Sequence, residues 1–531
     1  MTALRPSTRR SDRAIPRILA VLIAAAWLAL LAGYAVAVEL ASAARPLVAT
    51  IVLLFAGLAS SVIWLNGIRH LVMWLTGPIW SRMAARNEPR LASRQDEARV
   101  ALLYCTRDDF NAAALRRSMV QQHRVTTLIL DDSADSANQG IIDDFAEEAG
   151  CRVVRRHRRT GFKAGNLNNA VGAILDDFDY FVVLDSDEVI PPDFVTRALS
   201  WFAGDPQIGI VQANHRAWRG ETAFTAAFSG MLGSHISVAQ PARSHGGFSA
   251  FMGRGAMISA DCYRAAGPIP ELVIEDVAFS LEARIAGFTI AFDRELVCME
   301  DYPIDYHAFR SQHVKLVEGT TEFLRRSWRR ILSSPLRPSE KADLLFEQTM
   351  VPLLGFSGLV LILSSIVLTA FGGGPLHQPL WTVLATGFFA AAPLLPETVR
   401  VARRRGLFRA LGFLALASAL YSSTLLVTLR ASWKVLLGQR ATFRVTPKSV
   451  RRFGRWWETL VALRFELGAA GVATVVVFAV NGTLMAALPI AGPVLAAVGF
   501  ASLGARSLIP ADDSDDAASL AIGHGTTRWD R

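Results

Sequence analysis

Two aspartates at alternate positions, Asp185 and Asp187, stand just past the apolar run 180–184, in the order Asp185-Ser186-Asp187-Glu188. Carboxylates this close along a backbone offer hard oxygen ligands, which suits a divalent cation such as Mg2+ or Mn2+ bound together with phosphates. A second acidic pair, Asp131-Asp132, closes another apolar run, and a third, Glu275-Asp276, stands at the head of a helix-like run, 277–286. No G-x-x-x-x-G-K-[ST] loop and no G-x-G-x-x-G turn occurs in this region, which argues against a P-loop ATPase or a dinucleotide enzyme.

The elements that must position these acids alternate. Residues 100–105, 126–130, 152–154, 180–184 and 208–213 read as strands, separated by helical runs such as 112–122, 140–149 and 164–175. This spacing predicts an α/β domain with a mostly parallel sheet covered on both faces. Ligands of such sheets lie at the carboxyl ends of the strands, so Asp131-Asp132 and Asp185-Asp187 are expected to face one crevice.

The chain of 531 residues also carries apolar stretches at 18–38, 47–68, 350–371, 379–395, 408–429, 468–486 and 488–505. Each approaches the roughly 20 residues that cross a bilayer, which predicts a polytopic membrane protein. The first stretch reads as an anchor and not a removed signal peptide, because a second follows almost at once. Arg5, Arg9, Arg10, Arg13 and Arg17 place the N-terminus in the cytosol, and two spans later the α/β domain is cytosolic as well. The stretch 408–429 is basic on both flanks, with Arg403, Arg404 and Arg405 before it and Arg430, Lys434 and Arg440 after it. It is therefore expected to lie in the membrane plane, giving six spans, with seven as the rival reading.

The 55 Lys and Arg against 46 Asp and Glu give a net charge of +9, but the excess sits beside the apolar stretches. Membrane lipids, and no nucleic acid, are the partners this distribution implies. Cys105, Cys151, Cys262 and Cys298 form no C-x-x-C pair, which suits neither zinc nor a disulfide framework and fits a reducing cytosol.

Five motifs in order, Asp131-Asp132-Ser133, Lys163-Ala164-Gly165-Asn166-Leu167-Asn168, Asp185-Ser186-Asp187, Glu275-Asp276 and Phe443-Arg444-Val445-Thr446-Pro447-Lys448, resemble those of the processive family 2 glycosyltransferases, most closely the cellulose synthase catalytic subunit group. The resemblance covers about 100–455. It implies a cytosolic glycosyltransferase A-type domain inserted between transmembrane helices of the cell inner membrane. It also implies a nucleotide-sugar donor, with UDP-glucose the default, and a growing polysaccharide as acceptor and product.

By the same resemblance, Asp132 contacts the nucleoside and Lys163 the nucleotide. Asp187, with Asp185 beside it, binds the diphosphate and its Mg2+ or Mn2+. Asp276 is the candidate general base, and a single base attacking in line implies inversion at the anomeric carbon; its alternative reading is a helix N-cap. Glu275, Phe251, Gly253 and Gln312 are implied on the acceptor side. Thr446 and Lys448 belong to a gating loop that closes over the nucleotide.

One element departs from the family pattern. Where the family has Gln-x-x-Arg-Trp, this chain has Gln312-His313-Val314-Lys315-Leu316. Lys315 keeps a charge for the diphosphate but not the guanidinium fork, and Leu316 has no aromatic face for a sugar. A single transfer to a lipid or other membrane acceptor is thus a second expectation beside polymerisation and export, with or without accessory export proteins. A transporter or sensor with a nucleotide-binding domain is a third.

The expected division is a tail with two spans and a juxtamembrane segment (1–94), the catalytic domain (95–305), amphipathic interfacial helices (306–349) and two spans (350–396). An interfacial helix with the gating loop (397–466), two spans (467–506) and a disordered tail (507–531) follow, and the tail is too short for the family's second-messenger-binding barrel.

Overall fold

The computed structural model describes residues 10–42, 47–87, 97–217, 223–303, 305–371, 380–442, 461 and 463–481. Helices α1 (Arg10–Ser42), α2 (Leu47–Leu75) and α3 (Gly77–Asn87) precede the sheet domain. There, β1 (Val100–Thr106), α4 (Ala112–Met119), β2 (Val125–Asp131), α5 (Ser136–Ala149), β3 (Arg152–Arg155), α6 (Phe162–Ile174), β4 (Tyr180–Asp185), α7 (Phe194–Gly204) and β5 (Ile208–Ala217) alternate as the sequence predicts. Then come α8 (Ala223–Gly246), β6 (Ala256–Ser259), α9 (Ala260–Ala266), α10 (Glu275–Ile285) and β7 (Thr289–Glu300).

The seven strands run in the order β3-β2-β1-β4-β6-β5-β7. Only β6 is antiparallel to its neighbours, β4 and β5. All seven residues of β1 are buried, because helices cover both faces of the sheet. Ala101, Leu103 and Cys105 join Phe181 and Val183 in one core, while Val100, Leu102 and Tyr104 join Val182 and Leu184 in the other. Ala164, Leu167, Ala170, Val171 and Ile174 of α6 cover the first core at helical spacing, and Phe194, Val195, Ala198, Leu199 and Phe202 of α7 cover the second. Fully burying each large side chain contributes about 1.5–3 kcal/mol, so these faces hold the helices against the sheet.

Two strands were not anticipated. β6 is only four residues long, and β7 carries Asp293-Arg294-Glu295 in its middle, where a register irregularity against β5 occurs. Asp293 is tolerated there because Arg197 Nε and Trp201 Nε1 donate to its Oδ2 at 2.5 and 2.8 Å. The helix expected from residue 140 begins four residues earlier, because the Asp135 side chain caps it by accepting from Ala137 N at 3.1 Å.

After the sheet come α11 (Tyr306–Ser333), α12 (Pro338–Phe371), α13 (Leu380–Ala391), α14 (Leu395–Arg405), α15 (Leu407–Ser423), α16 (Leu425–Leu436) and a helix at Arg464–Asn481. Among the described residues, five helical stretches are long and apolar enough to cross a membrane: Ile15–Leu40, Leu47–Leu75, Pro338–Leu368, Leu380–Arg405 and Leu407–Leu436. The last contains the segment expected to lie in plane; it bends at Thr424 into α15 and α16, and α16 packs on α11 and α12. The expected span 488–505 and the gating-loop residues Thr446 and Lys448 lie outside the described residues.

Asp343 of α12 joins the helices to the sheet domain. It pairs with Arg69 of α2 at 2.6 Å and with Arg243 of α8 at 3.0 Å, and it accepts from Phe248 N at 2.9 Å.

Candidate active site

Parallel register sets the crevice: Thr106 is opposite Asp131 and Cys105 opposite Asp185, so the acids of β2 and β4 emerge at one end of the sheet. The turn after β4 is held from below. Tyr104 Oη donates to Ser186 O at 2.6 Å, Ser186 Oγ donates to Asp109 Oδ2 at 2.6 Å, and Asp301 N donates to Asp187 Oδ2 at 3.2 Å.

Lys163 connects three motifs. Its ammonium pairs with Asp185 Oδ1 and donates to Gly253 O at 2.8 Å. Burial works against that charge, but the groups around it, Asp185 first and then Cys105 and Glu275, together outweigh it and the pKa of Lys163 is raised. Lys163 is presented by a strained entry to α6, where Gly161 and Phe162 both have left-handed φ, 72° and 54°. For phenylalanine this conformation costs about 1 kcal/mol or more. Arg156 braces the segment, donating to Thr160 O and, at 2.9 Å, to Phe162 O.

Arg156 also grips Asp132, with Nε and Nη2 donating to Oδ1 and Oδ2 at 2.8 and 2.5 Å. The two side chains are only 6% and 9% exposed. Asp132 thus lies at the crevice with both oxygens engaged, and through Arg156 it helps place Lys163.

Asp276 stands in the first turn of α10. Its Oδ1 accepts from Val277 N at 2.8 Å, and a Cβ added at Gly253 would lie 3.5 Å from its Oδ2. The left-handed Gly253, φ 82°, lets the loop approach this close. The N-cap position itself belongs to Ile274, so Asp276 is inside the helix and not its cap. Burial raises the pKa of Asp276. Burial, then the charge of Asp276, pushes the Glu275 carboxyl up to about 7. Lys315, on α11, is lowered by burial, partly offset by Glu275 and Asp185, so it faces the same acids. Gln312 is half-buried one turn earlier, and Leu316 is 45% exposed.

Phe251 does not belong to the acceptor side. It is 1% exposed, in the core with Phe181, Tyr263 and Phe279, and its N–H donates to Ser280 Oγ at 2.8 Å. The loop turns this ring inwards, leaving no face for a sugar.

Arg254, next to Gly253, was not singled out as a site residue by sequence reasoning. Its Nε pairs with Glu300 and lies 4.0 Å from Asp185 Oδ2. Beneath it, Glu188 accepts from Gly255 N at 2.9 Å, and Glu188 Oε1 and Glu300 Oε1 flank His215 Nδ1 at 3.5 and 3.7 Å. Burial first, then Arg254, pushes the His215 pKa well down, and burial pushes the Glu188 carboxyl well up. Gly255 is required: φ is 54°, and a side chain there would meet Glu188 and, at 2.7 Å, His215 Cε1. The only signal in the sequence was a charged residue between two glycines.

No group of three or more His, Cys, Asp or Glu among the described residues could hold a metal ion. A cation that enters with its diphosphate needs only one or two carboxylates from the protein, which the Asp185-Asp187 turn supplies. Asp185 faces Lys163 and Arg254, and Asp187 Oδ2 accepts from Asp301 N.

Alongside this geometry stand similarities to known proteins. The family model described as "Glycosyl transferase family group 2" matches residues 180–396, and the one described as "Glycosyl transferase family 2" matches residues 112–238. The "Probable glucomannan 4-beta-mannosyltransferase 15" of Arabidopsis thaliana is 24% identical over 214 residues, 38% of this chain and 40% of that protein. The match thus spans less than half the length of this curated relative. Among solved structures, mannosyltransferase PcManGT from Pyrobaculum calidifontis in complex with GDP-Man and Mn2+ is 16% identical, with a TM-score of 0.48 over 71% of this chain and 99% of that one. S. aureus TarS 1-349 in complex with UDP is 14% identical, with a TM-score of 0.32 over 65% and 94%.

Proposed function

We propose, for a chain that belongs to the family 2 glycosyltransferases of the cellulose synthase-like kind, that it transfers a hexosyl unit from a nucleotide diphosphate sugar, with inversion, to a glycan at the membrane. The observation that carries this reading is the bridge made by Lys163, from Asp185 at the end of β4 to Gly253, which lies against Asp276. A donor diphosphate at the strand ends and an acceptor hydroxyl at Asp276 would then meet across one lysine. In this reading the domain is cytosolic and the membrane helices pass the product outwards.

The Asp276 carboxylate takes the proton of the acceptor hydroxyl as that oxygen attacks the anomeric carbon, and the bond to the diphosphate oxygen breaks on the opposite face. Lys163, Lys315 and Arg254 stabilise the negative charge that collects on the departing diphosphate. Asp187, with Asp185 beside it, would hold a divalent cation, which would supply further charge neutralisation on the diphosphate. Glu275, protonated up to about pH 7, orients the acceptor without adding a second negative charge beside Asp276.

This division of labour predicts a pH effect. As pH rises through about 7, Glu275 loses its proton and the paired charges repel, so kcat/KM falls. Glu275→Gln keeps the neutral form: we expect activity within about tenfold of the parent below pH 7 and no break near 7. A parental pH profile in Glu275→Gln would remove Glu275 from this role.

UDP-glucose is the donor the motifs imply, and a mannose donor is raised by the glucomannan mannosyltransferase relative. A donor panel with linkage and size analysis of the product, supplied with Mg2+ or Mn2+, tests the proposal; consumption of no nucleotide sugar would overturn it. A single transfer to a lipid is favoured by Leu316, which exposes an aliphatic side chain where a stacking ring would hold a polymer end. A product of one added sugar would select that reading.

A further inference from the structure

Away from the crevice, a cavity of about 660 Å³ lies between the membrane helices and the far edge of the sheet. Trp74 and Leu75 end one wall at the close of α2, Pro396 and Val399 of α14 form another, and Arg294 reaches in from β7. Arg400, Arg403 and Arg404 complete it. Of these four arginines, Arg294 donates to Ser81 Oγ at 2.7 Å and Arg400 pairs with Glu397 at 2.6 Å. Among the described residues, neither Arg403 nor Arg404 forms a salt bridge with a carboxylate.

We propose that this cavity binds the phosphodiester headgroup of an anionic membrane phospholipid. Its place decides the occupant. Leu47–Leu75 and Leu380–Arg405 are both long and apolar enough to cross a membrane, and the cavity is lined by residues at the end of each. Those ends line the cavity together with Arg294 of the sheet domain, where a bilayer spanned by the two helices would present its headgroups. A tryptophan and aliphatic walls below a cluster of arginines match a molecule with an apolar glycerol ester end and a phosphate, and such basic pockets between helices hold lipid headgroups. The volume is within the range of sites that take molecules of that size. Phosphate in this position would bridge α14 to β7, the strand that ends at Glu300 under Arg254. The lipid therefore fastens the catalytic sheet to its membrane helices.

The test is equilibrium binding of dioctanoyl phosphatidylglycerol to the full chain in neutral detergent, with dioctanoyl phosphatidylcholine and inorganic phosphate as comparisons. The anionic lipid should bind saturably and more tightly than either. Arg403→Ala/Arg404→Ala should weaken it about thirtyfold, the loss expected for two basic side chains at an anionic surface. Arg403→Lys/Arg404→Lys should largely retain it, and Arg294→Ala, on the opposite wall, should weaken it as well. Should the double alanine variant fail to fold, Arg294→Ala and the lysine variant decide the matter. Equal binding of the choline lipid, or parental affinity in Arg294→Ala or in a folded double alanine variant, would overturn the proposal. Inorganic phosphate binding as tightly as the lipid would show an anion site without lipid recognition and would overturn it too.

Discussion

Asp276→Asn should lower turnover by about 10²- to 10⁴-fold, the range over which a positioned general base acts. The asparagine keeps the size of the side chain and can still accept from Val277 N, the 2.8 Å bond that orients Asp276. What it lacks is a basic oxygen beside Gly253. Donor binding should survive, because Lys163, Arg254 and Asp187 are untouched, so the loss should appear in kcat with little change in the KM for the nucleotide sugar. Glu275 offers a second reading of the same variant: without its charged neighbour its carboxyl should fall from about 7, since Asp276 helps to raise it. Turnover within tenfold of the parent would mean that the base lies elsewhere.

The second large effect is on folding. Asp132→Ala leaves Arg156 with an uncompensated charge at a side chain that is 6% exposed. Breaking such a pair costs about 3–5 kcal/mol, a sizeable share of a stability of about 5–15 kcal/mol. Arg156 keeps its bonds to Thr160 O and Phe162 O, so the lower end of that range is expected. Removing both charges in Asp132→Leu/Arg156→Met should recover most of the loss. Melting of the purified protein in detergent measures this, and equal losses in single and double variants would show that the pair is not what matters. Asp132 stands at the crevice and positions Arg156, and the double variant also removes the Arg156 brace before Lys163, so activity should fall in both variants even where stability returns.

What could be read from the chain beforehand divides by range. Strands β1 to β5 were legible because burial on both faces demands continuous apolar runs, and the acids follow those runs directly. β7 was not, because Asp293 within it is satisfied by Arg197 and Trp201, nearly a hundred positions earlier. Asp132, Lys163, Asp185 and Asp276 were legible as motifs, and the fold brings them to one crevice. Arg254 and its support from Glu300, His215 and Glu188 were not, since no local pattern links residues on four separate segments. Phe251 misled for the opposite reason: an aromatic among glycines looks accessible, and only the core formed with Phe279 and Tyr263 shows it facing inwards.

Asp343 ties the start of the loop that leads to Gly253 and Arg254 to two membrane-length helices at once, through Arg69 and the Phe248 N–H. The other end of that loop is fixed inside the sheet domain by Glu188 and Glu300. Helices tilt to match the hydrocarbon thickness around them, at a cost of fractions of a kcal/mol per Å. A change of bilayer thickness that tilts α2 against α12 therefore pulls on one end of this loop and not the other, so that, on the proposed function, the lipid composition of the membrane is a mechanical input to the spacing between the donor and the proposed base Asp276.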